Sequence, residues 1–267
     1  MDAVPRTGSN LGRRRPAAPD SQEPPVTADR QQRFTDRRIV VTGAAGGLGE
    51  VVAEQFRAEG ARVVATDVRE ADGVVAWDLT DDAARAGFVA DVLAELGGLD
   101  VLCNVAGIQV FTPLGEVTAD LMRRHYEINA LAPIMLAQAF ADALVESKGN
   151  VVSVASISAV MAQPYNAPYN SSKAALLLGM RSIALDLGLK GVRVNCVSPG
   201  GIATPMVEAA ALGLPADTDW NLIAKSTSVM PGFMPPSEVA DSVLFLASAA
   251  ASSITGANLV VDRGVVL

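Results

Sequence analysis

Tyr169 and Lys173 stand four residues apart in the run Tyr169-Asn170-Ser171-Ser172-Lys173. On a helix that spacing brings both side chains to one face. A free phenol, with a pKa of about 10, is too weakly ionised to act as a base at neutral pH, and bringing it to about 7 takes roughly 4 kcal/mol of preferential stabilisation of the phenolate. A neighbouring ammonium such as that of Lys173 favours the charged form and supplies part of this. The pair therefore suits proton transfer to or from an oxygen. Tyr165 offers no such pair, because Tyr169 occupies the place four residues on.

A second feature points to a phosphate-bearing ligand. Thr42-Gly43-Ala44-Ala45-Gly46-Gly47-Leu48-Gly49 lies between a β-branched run, Ile39-Val40-Val41, and a helical stretch marked by Leu48, Val51, Val52 and Phe56. Glycines there allow a tight turn and a close backbone approach to a pyrophosphate, with the helix N-terminus supplying amides and dipole. The bland reading of the same glycines is close helix–strand packing. Asp67 ends the second strand, about 20 residues after the turn, where a carboxylate accepts ribose hydroxyls and repels a 2′-phosphate. That favours NAD over NADP, with Arg69 nearby to soften the preference. Asp78 ends the third strand, either near the adenine edge or as a cap or turn residue. The cationic ring of an oxidised nicotinamide is then a second source of stabilisation for the Tyr169 phenolate.

Ser156 lies thirteen residues before Tyr169, after the fifth strand, and Asn104-Val105-Ala106-Gly107 follows the fourth. With the glycine turn and the Tyr169/Lys173 pair, these motifs make the chain similar to the short-chain dehydrogenase/reductase family over roughly Arg38 to Leu267. Gly46 also permits the glycine spacing of the family's larger sugar-nucleotide-modifying branch, but chain length and the later motifs favour the smaller branch of about 250 residues. The resemblance implies an NAD(P)-dependent enzyme interconverting an alcohol and a ketone. Tyr169 would be the general acid/base, Ser156 would hold the substrate oxygen, and Lys173 would bind ribose and depress the tyrosine pKa. Asn129 would position a water that links Lys173 to solvent. Cofactor contacts are implied at Gly43, Gly47, Leu48, Gly49, Asp67, Asp78, Leu79, Asn104, Ala106, Gly107, Tyr169 and Lys173. Val197-Ser198-Pro199-Gly200-Gly201-Ile202-Ala203-Thr204 resembles the family's Pro-Gly turn beside the nicotinamide, which adds Pro199, Gly200, Ile202 and Thr204. Two departures stand out: Val105 replaces the usual second Asn, and Arg263 stands where a glycine is common. The family also implies a homodimer or homotetramer built on the helices carrying Asn129 and Tyr169.

The elements expected to position these residues alternate. Strands fall at Ile39–Val41, Arg62–Thr66, Val74–Trp77, Leu99–Cys103, Asn150–Ala155, Val192–Val197 and Asn258–Asp262. Helical patterns follow Gly47, then cover Asp81–Leu96, one long stretch from Thr118 to Val145, Asn166–Leu189 and Ser237–Ala247. Strand–helix alternation with continuous apolar strands implies a single Rossmann-type doubly wound parallel sheet of about seven strands, with helices on both faces. The Asp67–Val74 connection is too short for a full helix.

Composition narrows the remaining choices. A net charge of −8 argues against nucleic acid as a partner. No apolar run reaches membrane-spanning length, so no membrane partner is expected. Cys103 and Cys196 have no metal or disulfide spacing and suit a reducing, cytoplasmic setting. His125 is the single histidine, which excludes a multi-histidine metal site and leaves a hydrolase without an evident nucleophile; it reads as a partly solvated helix residue. Residues 1–35, with five prolines and the run Arg13-Arg14-Arg15, read as a disordered extension to a domain over 36–267. Neither a twin-arginine signal nor a transit peptide fits them.

Pro205–Pro236 is expected to form a mobile flap over the substrate. Its apolar side chains suit a hydrophobic substrate or cover the core on closure. Val110, Phe111 and Met161 are expected to add apolar wall. The short loop after Asp67 and sparse charge near the site are similar to family groups acting on hydroxysteroids and dihydrodiol acids, and the flap holds no evident arginine for a carboxylate. A neutral secondary alcohol is the expected substrate. The alternatives are an NADP-linked 3-oxoacyl (acyl-carrier) reductase and a catalytically silent nucleotide-binding scaffold or sensor.

Overall fold

The computed structural model describes residues 32–267 apart from 212, 216, 225 and 226; for 210 and 211 the backbone alone is described. Seven parallel strands form one sheet in the order β3-β2-β1-β4-β5-β6-β7. They are β1 (Arg38–Thr42), β2 (Arg62–Asp67), β3 (Val74–Ala76), β4 (Val101–Asn104), β5 (Asn150–Val154), β6 (Arg193–Pro199) and β7 (Asn258–Val261). The order reverses between β1 and β4, and ligands of such sheets bind outside the carboxyl ends of the strands at that point.

Helices cover both faces. On one side α1 (Gly47–Ala58) and α9 (Pro236–Ala247) pack with Ile39, Val41, Val52, Val101 and Val243. On the other, α2 (Arg85–Leu96), α4 (Ala132–Ala139) and α6 (Ala167–Gly188) bury Val40, Leu102, Leu136, Val151 and Leu176. Strand residues alternate between the two cores, which is why these strands read as unbroken apolar runs.

The long helix expected over Thr118–Val145 is broken. It runs as α3 (Ala119–Tyr126), a π turn (Glu127–Leu131), α4, and α5 (Ala141–Ser147) after a 56° bend at Phe140. Thr118 starts α3 by accepting a hydrogen bond from the Leu121 amide at 3.1 Å. The π turn lets the carboxamide of Asn129 point inward, fully buried, instead of along the helix surface. No single described helix is long and apolar enough to cross a membrane.

Two other elements differ from expectation. Helix α2 starts at Arg85, not Asp81, because Asp78 and Asp81 are spent on turns: Asp78 Oδ1 accepts from Thr80 N at 2.9 Å and Asp81 Oδ1 from Ala84 N at 2.9 Å. His125 is fully buried, its Nδ1 2.9 Å from the Leu121 carbonyl, and burial lowers its pKa. The Asp67–Val74 connection contains no helix, as expected.

Residues 1–31 of the expected extension lie outside the described residues. Residues 32–35 pack on the domain: Phe34 is 2% exposed and meets Phe56 edge-on at 4.8 Å, and Arg33 pairs with Glu59 at 2.6 Å. Within the expected flap, Pro205–Pro236, the described residues form two short helices, α7 (Pro205–Ala211) and α8 (Trp220–Ile223).

Candidate active site

The carboxyl ends of β1, β2, β4, β5 and β6 open onto one cavity of about 1630 Å³. Gly43 leaves β1 with φ +73, a left-handed conformation that suits glycine. A Cβ there would sit 2.7 Å from the Cα of Ala106, so the two loops approach as only a glycine allows. Thr42 Oγ1 holds the facing loop, accepting from the amides of Val105 (3.1 Å) and Ala106 (3.2 Å). Gly49 packs against the carbonyl of Gly43, which closes the turn on the first turn of α1. Thr204 faces this turn, 3.7 Å from where a side chain at Gly47 would begin.

Asp67 is buried at the end of β2 and is engaged on both oxygens. Oδ2 accepts from Ala45 N at 3.1 Å; Oδ1 accepts from Arg69 N at 3.0 Å and Arg69 Nε at 3.3 Å. Burial acts to raise its pKa, but the hydrogen bonds from Arg69 and Ala45 outweigh it and hold the carboxyl below its ordinary value. Arg69 also reaches over the glycine turn, with Nη2 3.5 Å from the Cβ position of Gly46.

The sequence motifs converge at the other end of the cavity. Tyr169 and Lys173 lie on the first turns of α6, which Asn166 and Pro168 start, and both are buried. The Tyr169 hydroxyl faces Ser156, which follows β5 and whose hydroxyl draws the phenol's pKa down. Ser156 Oγ in turn accepts from the Ser158 amide at 3.1 Å. Lys173 Nζ donates to the Val154 carbonyl at 2.8 Å and lies 5.8 Å from the centre of the Tyr169 ring.

The electrostatics of the protein alone run opposite to the expected depression of the phenol. Burial pushes the Tyr169 hydroxyl up to about 12, with Ser156 drawing it part of the way back. Burial brings Lys173 down to about 8, opposed by the neighbouring Cys196. Burial thus acts against the charged form of both groups, but at neutral pH Lys173 still holds its proton while Tyr169 stays neutral.

Gly43, Gly47, Leu48, Gly49, Asp67, Asp78 and Leu79 all line the cavity, as do Ala106, Gly107, Ser156, Tyr169 and Lys173. Pro199, Gly200, Ile202 and Thr204 complete its rim. Asn104 and Asn129 are not part of the wall. Asn104 is buried with Nδ2 donating to Ser153 Oγ at 3.1 Å and Oδ1 unpartnered. Asn129 binds Ile108 in both directions, accepting from its amide at 2.8 Å and donating to its carbonyl at 2.9 Å, and it also donates to Ser172 Oγ at 3.0 Å. Its amide is spent on the loop behind the cavity. Met161 does not line the cavity either, whereas Val110 and Phe111 do.

The chain resembles a group of known proteins along nearly its whole described length. The family model described as enoyl-(acyl carrier protein) reductase matches residues 43–266. Cis-4-hydroxycyclohexanecarboxylate dehydrogenase of Sinomonas cyclohexanicum is 36% identical over 247 residues, covering 86% of this chain and 97% of its own. The chain belongs to the short-chain dehydrogenase/reductase family. It is an NAD(P)-dependent alcohol oxidoreductase of that family.

Other members agree in length and architecture. Rabbit (Oryctolagus cuniculus) L-fucose dehydrogenase is 34% identical over 87% of this chain and 86% of its own. A short-chain dehydrogenase from Mycobacterium paratuberculosis bound to NAD superposes with a TM-score of 0.81 at 27% identity, over 87% of this chain and 98% of its own. One from Burkholderia cenocepacia in complex with NADP gives 0.77 at 30% identity, over 87% and 99%. Both coenzymes therefore occur on this short-chain dehydrogenase/reductase framework.

The wall holds residues that spacing did not reveal. Arg69, Arg123, Arg124 and Arg263 line it from outside the flap, so the site is less sparing of charge than expected. Gln163, in the loop before α6, also lines it. A glutamine in an irregular loop carries no periodic signal, and only its partners make it conspicuous.

Proposed function

We propose that the protein interconverts an apolar secondary alcohol and its ketone with NAD(H), Tyr169 serving as the general acid/base. The observation that carries this reading is the convergence of Ser156, Tyr169 and Lys173 on the wall of one cavity, with the Lys173 ammonium 5.8 Å from the tyrosine ring centre.

The cradle fits a dinucleotide: a glycine turn that a Cβ would block, the helix start at Gly47, and a buried ionised carboxylate 22 residues from the turn's Ala45 amide. Gly43, Gly47 and Gly49 would take the pyrophosphate, Asp67 the adenosine ribose, Asp78 and Leu79 the adenine, and Lys173 the second ribose. Pro199–Ile202 and Thr204 would meet the nicotinamide end, and Ala106 and Gly107 would flank its path. Bound there, the coenzyme supplies the hydride acceptor or donor and, when oxidised, a positive charge.

Ser156 donates to the substrate oxygen and fixes its position beside Tyr169. During oxidation Tyr169 Oη takes the hydroxyl proton; during reduction it returns a proton to the carbonyl oxygen. Lys173 supplies the charge that favours the phenolate once the site is filled. Asn129 is a positioning residue: by holding Ile108 and Ser172 it shapes the loop and helix on which Gly107 and Lys173 lie. Met206, Val207, Leu214, Trp220 and Phe233 of the flap support an apolar substrate body. Relatives named for alcohols of six-membered rings, a hydroxycyclohexanecarboxylate and a dichlorocyclohexadienediol, support a cyclic one. Arg69 beside Asp67 is the one observation that favours a second reading, NADPH-linked reduction of an acyl-carrier ketone.

An oligomer built on the helical stretch that carries Asn129 and on α6 is part of the proposal, since Leu178 and Leu185 are exposed along α6 and Leu189 just past its end. The two buried free thiols suit a cytoplasmic setting. The deciding experiment is Tyr169→Phe, assayed on a panel of cyclic secondary alcohols with NAD. Turnover should fall by at least about a thousandfold while NADH binding, followed by nicotinamide fluorescence, stays within about threefold. Substantial residual turnover would remove Tyr169 from its role.

A further inference from the structure

Gln163 is fastened on one side only. Its Oε1 accepts from Ser158 Oγ at 2.6 Å and from Asn166 Nδ2 at 3.1 Å, and its backbone carbonyl accepts from Asn170 Nδ2 at 3.1 Å. Each of these partners belongs to the reacting pair's own support. The Ser158 amide is bonded to Ser156 Oγ, Asn166 starts α6, and Asn170 follows Tyr169. The side chain is therefore held in register with Ser156 and Tyr169.

Two acceptor bonds fill Oε1, so the nitrogen end of the carboxamide is what remains free. Nε2 carries two N–H donors and has no partner among the described residues. Gln163 lines the same cavity as Ser156 and Tyr169, whose wall also takes in flap side chains that are mainly apolar. A donor fixed in advance by its own network loses little freedom on meeting an acceptor. An apolar ligand surface set against it would leave it unpaired, which costs free energy.

We propose that Gln163 is a specificity-determining residue: its Nε2 donates to a second oxygen of the substrate. The preferred substrate is then a secondary alcohol with a largely apolar body and one further oxygen acceptor, as in a diol or hydroxyketone. This rests on the reading above, in which Ser156 and Tyr169 hold the reacting oxygen.

The test compares ketones that differ only in that acceptor: 3- and 4-methoxycyclohexanone against 3- and 4-ethylcyclohexanone, reduced with NADH. Wild type should favour at least one methoxy ketone over its ethyl partner by about 5- to 10-fold in kcat/KM, the worth of one neutral hydrogen bond. Gln163→Glu keeps an oxygen for Ser158 and Asn166 but presents no donor to the cavity; Gln163→Leu removes both ends. Both variants should lose the preference, and Gln163→Glu, which keeps Ser158 and Asn166 fastened, should lose it through the methoxy ketone alone. A preference that survives in both variants overturns the proposal, as does its absence in wild type. An equal fall for both ketones assigns Gln163 to holding Ser158 instead. If wild type reduces neither ketone, the reading of an apolar cyclic substrate fails. Calorimetric titration of the NAD-saturated protein with the same ketones then judges Gln163 separately. A methoxy preference in binding that both variants lose supports the proposal, and none in wild type overturns it.

Discussion

Asn129 and Lys173 converge on Gly107 from two different helical segments. A Cβ at Gly107 would sit 3.1 Å from Asn129 Oδ1 and 3.3 Å from Lys173 Nζ. The glycine thus keeps open the narrow space between a carboxamide and an ammonium. Its backbone is not left-handed, so alanine is conformationally acceptable there. Gly107→Ala should fold with a melting temperature within a few degrees of wild type, since the contact sits at a cavity wall. Displacing Lys173 should lower kcat by about tenfold or more. Thermal melts and steady-state kinetics on one preparation check both halves.

The pairing of Asp67 with Arg69 leads to a coenzyme prediction. On the proposed reading the wild-type carboxylate would repel a 2′-phosphate, and it is already bonded to the guanidinium that would otherwise receive one. Asp67→Ala should shift the NADPH/NADH affinity ratio toward NADPH by about tenfold or more. Arg69→Ala added to that variant should reverse much of the gain. Fluorescence titration with each reduced coenzyme gives the ratios, and an unchanged ratio in Asp67→Ala would remove Asp67 from coenzyme choice.

Lys173 links stability to pH. Its folded value of about 8 lies below the ordinary lysine value of about 10.4. Below pH 8 both states hold the proton and the cost of burying the ammonium is present in full. Between these values the unfolded chain binds more protons than the folded one, so stability rises with pH. Lys173→Met lacks this dependence. Its stability advantage over wild type should therefore shrink by about 2 kcal/mol between pH 7 and pH 9.5 in the coenzyme-free protein. Urea denaturation at the two pH values measures it, and a constant gap would contradict the burial argument.

Arg263 ties the end of the sheet to the base of the flap. It adopts φ 54, donates to the Pro231 carbonyl at 3.0 Å, and pairs with Glu238 at 2.9 Å. Arg263→Ala should loosen the 205–236 segment: faster protease cleavage there, KM raised by about three- to tenfold, and kcat changed less. The ion pair itself is part-exposed and adds little to global stability. Limited proteolysis with mass readout distinguishes a local effect from a global one.

Much of this architecture is written in residue order. The strands are legible because both faces are buried, so Val40 and Val41 must both be apolar although they point into different cores. The Tyr169/Lys173 pair is legible because helix geometry turns a spacing of four into a shared face. The break at Phe140 is not legible: the apolar pattern continues through it, and only packing against α2 and α6 decides where the axis turns. The inward turn of Asn129 depends on a π segment that no local preference announces. The charged neighbours of His125 suggest a partly solvated ring, yet it is sealed in while Arg123 and Arg124 are exposed. Polar loop residues such as Gln163 acquire meaning only from partners distant in the chain or across a turn.

The two thiols follow from the same sheet. Cys103 on β4 and Cys196 on β6 flank β5 on either side, paired across from Val152 and Ser153, and both are buried. Burial pushes both thiols up, Cys196 to about 12 and Cys103 beyond, so neither offers a thiolate at neutral pH. An alkylating reagent can reach them only when the middle of the sheet comes apart. The rate at which iodoacetamide marks this protein is therefore a clock for the opening of its central strands, and a ligand that slows that clock declares its binding without any assay of turnover.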